Sequence, residues 1–142
     1  MNLKKIILRR IIDRFSYFGR DKIQVDGKRD REKFLDTNKL IEEHFKKYSN
    51  TNHPCRETLQ LALQMLGASK AVIVETGSSA WGTNSSLLFD SYVNSFGGEF
   101  YSVDIRIEPL ITLRSLCTSK SHFYCDDSIN FLTKFRQKKI HR

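Results

Sequence analysis

Two textures of apolar and polar positions divide the chain. Up to about residue 69, apolar residues recur every three or four positions; beyond it, short β-branched runs alternate with helical stretches. Leu3, Ile6, Ile7, Ile11, Phe15 and Phe18 fall near one face of residues 3–18, with Lys4, Lys5, Arg9 and Arg14 elsewhere. That spacing predicts an amphipathic helix. Residues 19–32 are polar with glycines near both ends and read as a linker or exposed loop. A second helix is predicted over residues 32–48, burying Phe34, Leu35, Leu40, Ile41 and Phe45. After a turn cluster at Asn50 to Pro54, a third is predicted over residues 55–66, with Leu59, Leu63 and Leu66 on one stripe. Gly67 is placed to end it.

From Ala71 the pattern changes period. Ala71-Val-Ile-Val-Glu75 suits a buried strand. Thr76 to Thr83 is a Gly- and Ser-rich loop. Thr83 or Asn84 can cap a helix running to about Phe96, with Leu87, Leu88, Tyr92, Val93 and Phe96 inward. Residues 99–105 form the next strand, and Pro109 suits the first turn of a helix carrying Leu110, Ile111, Leu113 and Leu116. Ser121 to Cys125 is a third strand, followed by a helix with Ile129, Phe131, Leu132 and Phe135. Helices followed by strand–helix–strand–helix–strand–helix imply an α/β fold with a three-stranded parallel sheet. Residues 1–31 read as a basic helix and linker, 32–69 as a helical segment and 70–142 as a partial ligand-binding domain.

Charge sharpens this division. Residues 1–34 hold eleven Lys or Arg against five acids, and the other residues thirteen against eleven. The formal charge of +8 therefore belongs mainly to the N-terminal arm, which weakens any reading of the whole protein as a nucleic-acid binder. The helix at residues 3–18 has two readings: packing on its own domain or a protein partner, or lying on an anionic membrane surface. The odd cysteine count, Cys55, Cys117 and Cys125, reads as free thiols, and the histidines form no metal-binding pattern, so no metal site is expected. No apolar run reaches the roughly 20 residues of a membrane span. No secretory signal is evident either, and a cytoplasmic location is expected.

Candidate chemistry lies at the three strand ends, where ligands bind in open parallel sheets. The first reads Glu75-Thr-Gly-Ser-Ser-Ala-Trp-Gly-Thr-Asn-Ser. Gly77 permits a sharp turn and close ligand approach, Ser78 and Ser79 keep the approach open, and the helix beyond points its N–H groups at the loop. Gly77 also reads as an ordinary tight turn, and Trp81 as either an exposed loop residue or a lid. Asp104, 27 residues after Gly77, ends the second strand; a carboxylate there accepts two hydrogen bonds from a ribose diol, or is simply a solvated acid. Asp126-Asp127-Ser128 ends the third strand. Asp127 has two readings, a helix cap or a group reading the edge of an adenine.

Together these signatures resemble class I S-adenosylmethionine-dependent methyltransferases. Glu75-Thr-Gly77 matches the start of their acid-x-Gly-x-Gly-x-Gly motif, although Ser79 and Trp81 stand where the later glycines would be. The form is more similar to the branch that includes cephalosporin hydroxylase-like methyltransferases. Val103-Asp104-Ile105 resembles the family's second motif, and Asp126-Asp127-Ser128-Ile-Asn-Phe-Leu132 its Gly-Asp-Ser-x-x-x-Leu segment. The resemblance covers about residues 70–135 and implies a Rossmann-like fold binding S-adenosylmethionine. It puts Glu75 near the methionine amine, Gly77, Ser78 and Ser79 along the methionine moiety, Asp104 on the ribose, and Asp127 with Ser128 at the adenine.

Such a sheet usually has seven strands, so the chain reads as the front half of one, either a piece of a longer protein or a half-domain that pairs with something. No residue is assigned as general base, and the acceptor, a small molecule or sugar, is open. Two other functions compete: an NAD-type oxidoreductase domain, and a non-catalytic interaction module carried by the basic helix. Glu75 disfavours the first, because an acid beside the first glycine would lie close to an anionic pyrophosphate.

Overall fold

The structure is a computed structural model that describes residues 32–78 and 83–140. The expected helix at 3–18, the linker that follows it, and Ser79 with Trp81 lie outside the described residues.

Helix α1 spans Thr37–Lys47. It starts five residues later than expected because Asp36 takes the cap position: its backbone is extended and its carboxylate accepts the Lys39 N–H at 2.9 Å. Leu35 is therefore left ahead of the helix and is 91% exposed, contrary to its expected burial. Phe34 does pack against the core, and its N–H donates to Ser95 Oγ at 3.0 Å. Helix α2 spans Arg56–Leu66 and ends at Gly67, whose N–H donates back to the Leu63 carbonyl at 3.0 Å. Leu63 is buried and Leu59 packs beside it, but Leu66 is largely exposed, because the chain turns away at Gly67.

The remaining elements are β1 Ala71–Thr76, α3 Ser85–Phe96, β2 Gly98–Asp104, α4 Ile107–Leu116, β3 Ser121–Cys125 and α5 Ser128–Ile140. The strands form one parallel sheet in the order β1-β2-β3, with Ala71 opposite Gly98 and Asp104 opposite Cys125. With five helices among the described residues, this is an α/β arrangement consistent with a Rossmann-like fold. Strand alternation then sorts the side chains. Phe100, Ser102 and Asp104 share one face; Phe100 packs on Phe89 of α3 and, edge to face, on Phe123 of β3. Tyr101 points the other way and meets Phe135 of α5 at a ring separation of 4.9 Å. One hydrophobic cluster joins Leu40, Ile41, Phe45 and Leu63 to Leu88, Tyr92, Val93, Phe100 and Leu110. The helices before the sheet thus share its core. Tyr92 ties them further, its hydroxyl donating to the carbonyls of Gly67 and Ser69.

Three more residues expected inside are exposed: Ile111 at 62%, Ile129 at 74% and Leu132 at 43%. Each residue advances about 100° round a helix. Leu110 and Leu113 define the inward line of α4, and Ile111 lies off it. Phe131 and Phe135 do the same for α5, stacked one turn apart, so Ile129 and Leu132 face outward. Among the described residues, no helix is long and apolar enough to cross a membrane.

Candidate ligand site at the strand ends

The sheet brings the ends of β1 and β2 side by side, Glu75 beside Ser102 and Thr76 beside Val103. Gly77 continues from β1 with φ +85, and its N–H donates to the Val103 carbonyl at 2.8 Å. Among the described residues, nothing lies within 4 Å of where a Cβ on Gly77 would sit. The next residue, Ser78, is fully buried.

Glu75 and Asp104 are joined through two serines. Ser102 Oγ donates to Glu75 Oε2 at 2.9 Å, and Ser78 Oγ lies 2.6 Å from Ser102 Oγ. The Ser78 N–H then donates to Asp104 Oδ2 at 2.8 Å. Ser85 and Ser86, in the first turn of α3, donate their hydroxyls to Glu75 Oε1 and Oε2 respectively. Asn84 takes the N-cap position of α3, one of the two residues expected there, but its side chain makes no cap bond. Asn84 has left-handed backbone, φ 51, and its amide donates to the Tyr48 carbonyl instead.

Asp104 is 5% exposed. Its Oδ1 accepts from Arg106 N at 2.8 Å and Nε at 3.1 Å; its Oδ2 accepts from Ser78 N and from Arg106 Nη2 at 2.9 Å. The guanidinium bond leads the effects that hold the Asp104 carboxyl at about 2; burial opposes it, and the two backbone N–H groups add to it. Arg106 also donates from Nη2 to the Ser78 carbonyl at 3.2 Å, although its side chain is 58% exposed. Nearby, burial and the Asp104 charge push the Cys125 thiol up.

At the third strand end, Asp126 N–H donates to the Asp104 carbonyl at 3.1 Å, so the turn after β3 sits against the end of β2. Asp127 caps α5: its Oδ1 accepts from Ile129 N at 3.0 Å and Asn130 N at 3.1 Å. Ser128 is the first residue of that helix. The structure thus brings Glu75, Gly77, Ser78 and Asp104 into one connected group, with Asp127 and Ser128 one turn away. Ser79 is outside the described residues.

Sequence reasoning missed Ser85, Ser86, Ser102 and Arg106. A signal for Ser102 was present, since it lies two residues before Asp104 and period-2 alternation puts both on one face.

A carboxylate offers about four lone-pair sites. Glu75 uses three on hydroxyls and keeps one on Oε1, suited to a cationic amine. All four of Asp104 are filled; a ligand diol needs the two now held by the Arg106 side chain. The donor set therefore fits a ligand carrying a cation and a diol, provided Arg106 gives way. The chain matches no family model, and no curated protein or solved structure is similar enough to show a shared family.

Proposed function

We propose that the chain carries the S-adenosylmethionine-binding elements of a class I methyltransferase, with its acceptor unassigned. The observation that carries this reading is the connected group Glu75–Ser102–Ser78–Asp104 at adjacent parallel strand ends. In it, Glu75 meets the amine of the methionine moiety and Asp104 the ribose hydroxyls. Gly77 and Ser78 line the path between them, and Asp127 with Ser128 face the adenine. Glu75, an acid beside this turn, suits a cationic amine better than an anionic pyrophosphate. When bound, S-adenosylmethionine supplies an electrophilic methyl group on its sulfonium. The residues here bind and orient it; holding donor and acceptor in line is the main contribution such a fold makes.

Calorimetry of the chain with S-adenosylhomocysteine, beside a titration with NADH, tests the reading. Binding of the first and not the second is expected, with Asp104→Ala and Glu75→Gln each weakening it about tenfold or more, near 1.4 kcal/mol. Heat from NADH alone would sink the proposal.

A further inference from the structure

Arg106 occupies the position that the proposed ribose contact needs. Its Nε and Nη2 fill one lone-pair site on each oxygen of Asp104, and the backbone N–H groups of Ser78 and Arg106 fill the other two. Those backbone donors are fixed by the turn. The guanidinium is not: it sits on the solvent side of a carboxylate that is itself only 3% exposed. Two N–H donors on a planar fork present nearly the same demand as two vicinal hydroxyls. A diol can replace them one for one, leaving the buried carboxylate fully satisfied before and after.

We propose that Arg106 is an internal competitor for the nucleoside subsite, displaced by the ligand diol and setting the threshold a ligand must exceed to bind. This rests on the reading of Asp104 as a ribose contact. The competitor keeps the Asp104 carboxylate paired, and so stable, when no ligand is present. It also makes the subsite selective, because a ligand offering no paired donors leaves Arg106 in place. The swing takes Arg106 Nη2 off the Ser78 carbonyl too, so ligand entry reorganises both sides of the turn. The other nitrogen, Nη1, makes no hydrogen bond among the described residues, so no hydrogen bond through it has to break for the guanidinium to move.

The experiment measures S-adenosylhomocysteine affinity of wild type and Arg106→Ala by calorimetry. It also follows the Arg106 Nε–H signal of wild type by NMR during the titration. Removing a half-exposed competing pair is expected to tighten binding about two- to fivefold. The Nε–H signal is expected to lose its hydrogen-bonded shift as ligand saturates. If wild type binds but Arg106→Ala binds no tighter and the signal stays put, the competitor role is overturned while the cofactor reading stands. If Arg106→Ala binds more weakly, Arg106 is a ligand contact and the proposal fails in that direction. If neither protein binds, both the reading and the proposal fall. The NMR measurement needs no variant, so it decides the question even if Arg106→Ala does not fold.

Discussion

A carboxylate held at about 2 by a guanidinium and two backbone N–H groups stabilises the fold only while it is ionised. The folded value of Asp104 lies below the usual 3.8, so its contribution is fully present above about pH 4 and is lost as the pH falls towards 2. Because Arg106 is half in solvent, the difference amounts to about 1–2 kcal/mol. Denaturant titrations at pH 4 and pH 2 should show wild type losing that much more stability than Asp104→Asn; equal losses would mean the pair adds nothing. At this scale the sequence was partly legible. Glu75, Gly77, Ser78 and Asp104 could be picked out because strand ends and a glycine turn mark them. Arg106 could not, because whether an arginine two residues from an acid folds back onto it depends on where the turn after β2 leaves its side chain. Asp127 was legible only as an ambiguity, and its carboxylate is engaged in capping α5.

At the scale of elements, the strands were read more accurately than the helix starts. Runs of β-branched and aromatic residues marked β1, β2 and β3 within a residue, although β1, expected as a buried strand, lies at the sheet edge with Val72 47% exposed and only β2 is largely buried. Helix starts depend on a single capping contact, so α1 shifted by five residues once Asp36 took the cap. The two glycines around the sheet separate the sources of strain. Gly98 opens β2 at φ +107, and a Cβ there would lie 1.8 Å from the Ala71 carbonyl oxygen. Gly77 has φ +85, with no described residue within 4 Å of its Cβ position. Gly77→Ala should therefore cost about 1–3 kcal/mol from backbone strain alone. Gly98→Ala should cost clearly more, because the clash is with backbone that cannot turn aside. Thermal melts of the two variants check the order, and equal losses would refute it.

For the whole molecule, one core serves both the helical segment and the sheet, yet several large apolar side chains remain outside it. On α2, Leu61 is 59% and Met65 81% exposed, one turn apart. Contiguous exposed apolar surface promotes association. Leu61→Lys with Met65→Lys should reduce light scattering of concentrated protein while changing stability by less than about 0.5 kcal/mol, as for surface positions in general. A loss of several kcal/mol would instead mean that this side of α2 is covered. Helix α1 also bonds to the stretch that joins β1 to α3. The stretch between β1 and α3 begins after Ser78, buried against Ser102 and Asp104, and ends at Thr83, whose carbonyl accepts the His44 Nε2–H at 2.8 Å. Both abutments of this span are fixed by folding, one to the sheet and one to α1. The entropy of bringing its ends together is therefore lost on folding itself, and a change in α1 that moves His44 moves one pier of the span while the sheet holds the other.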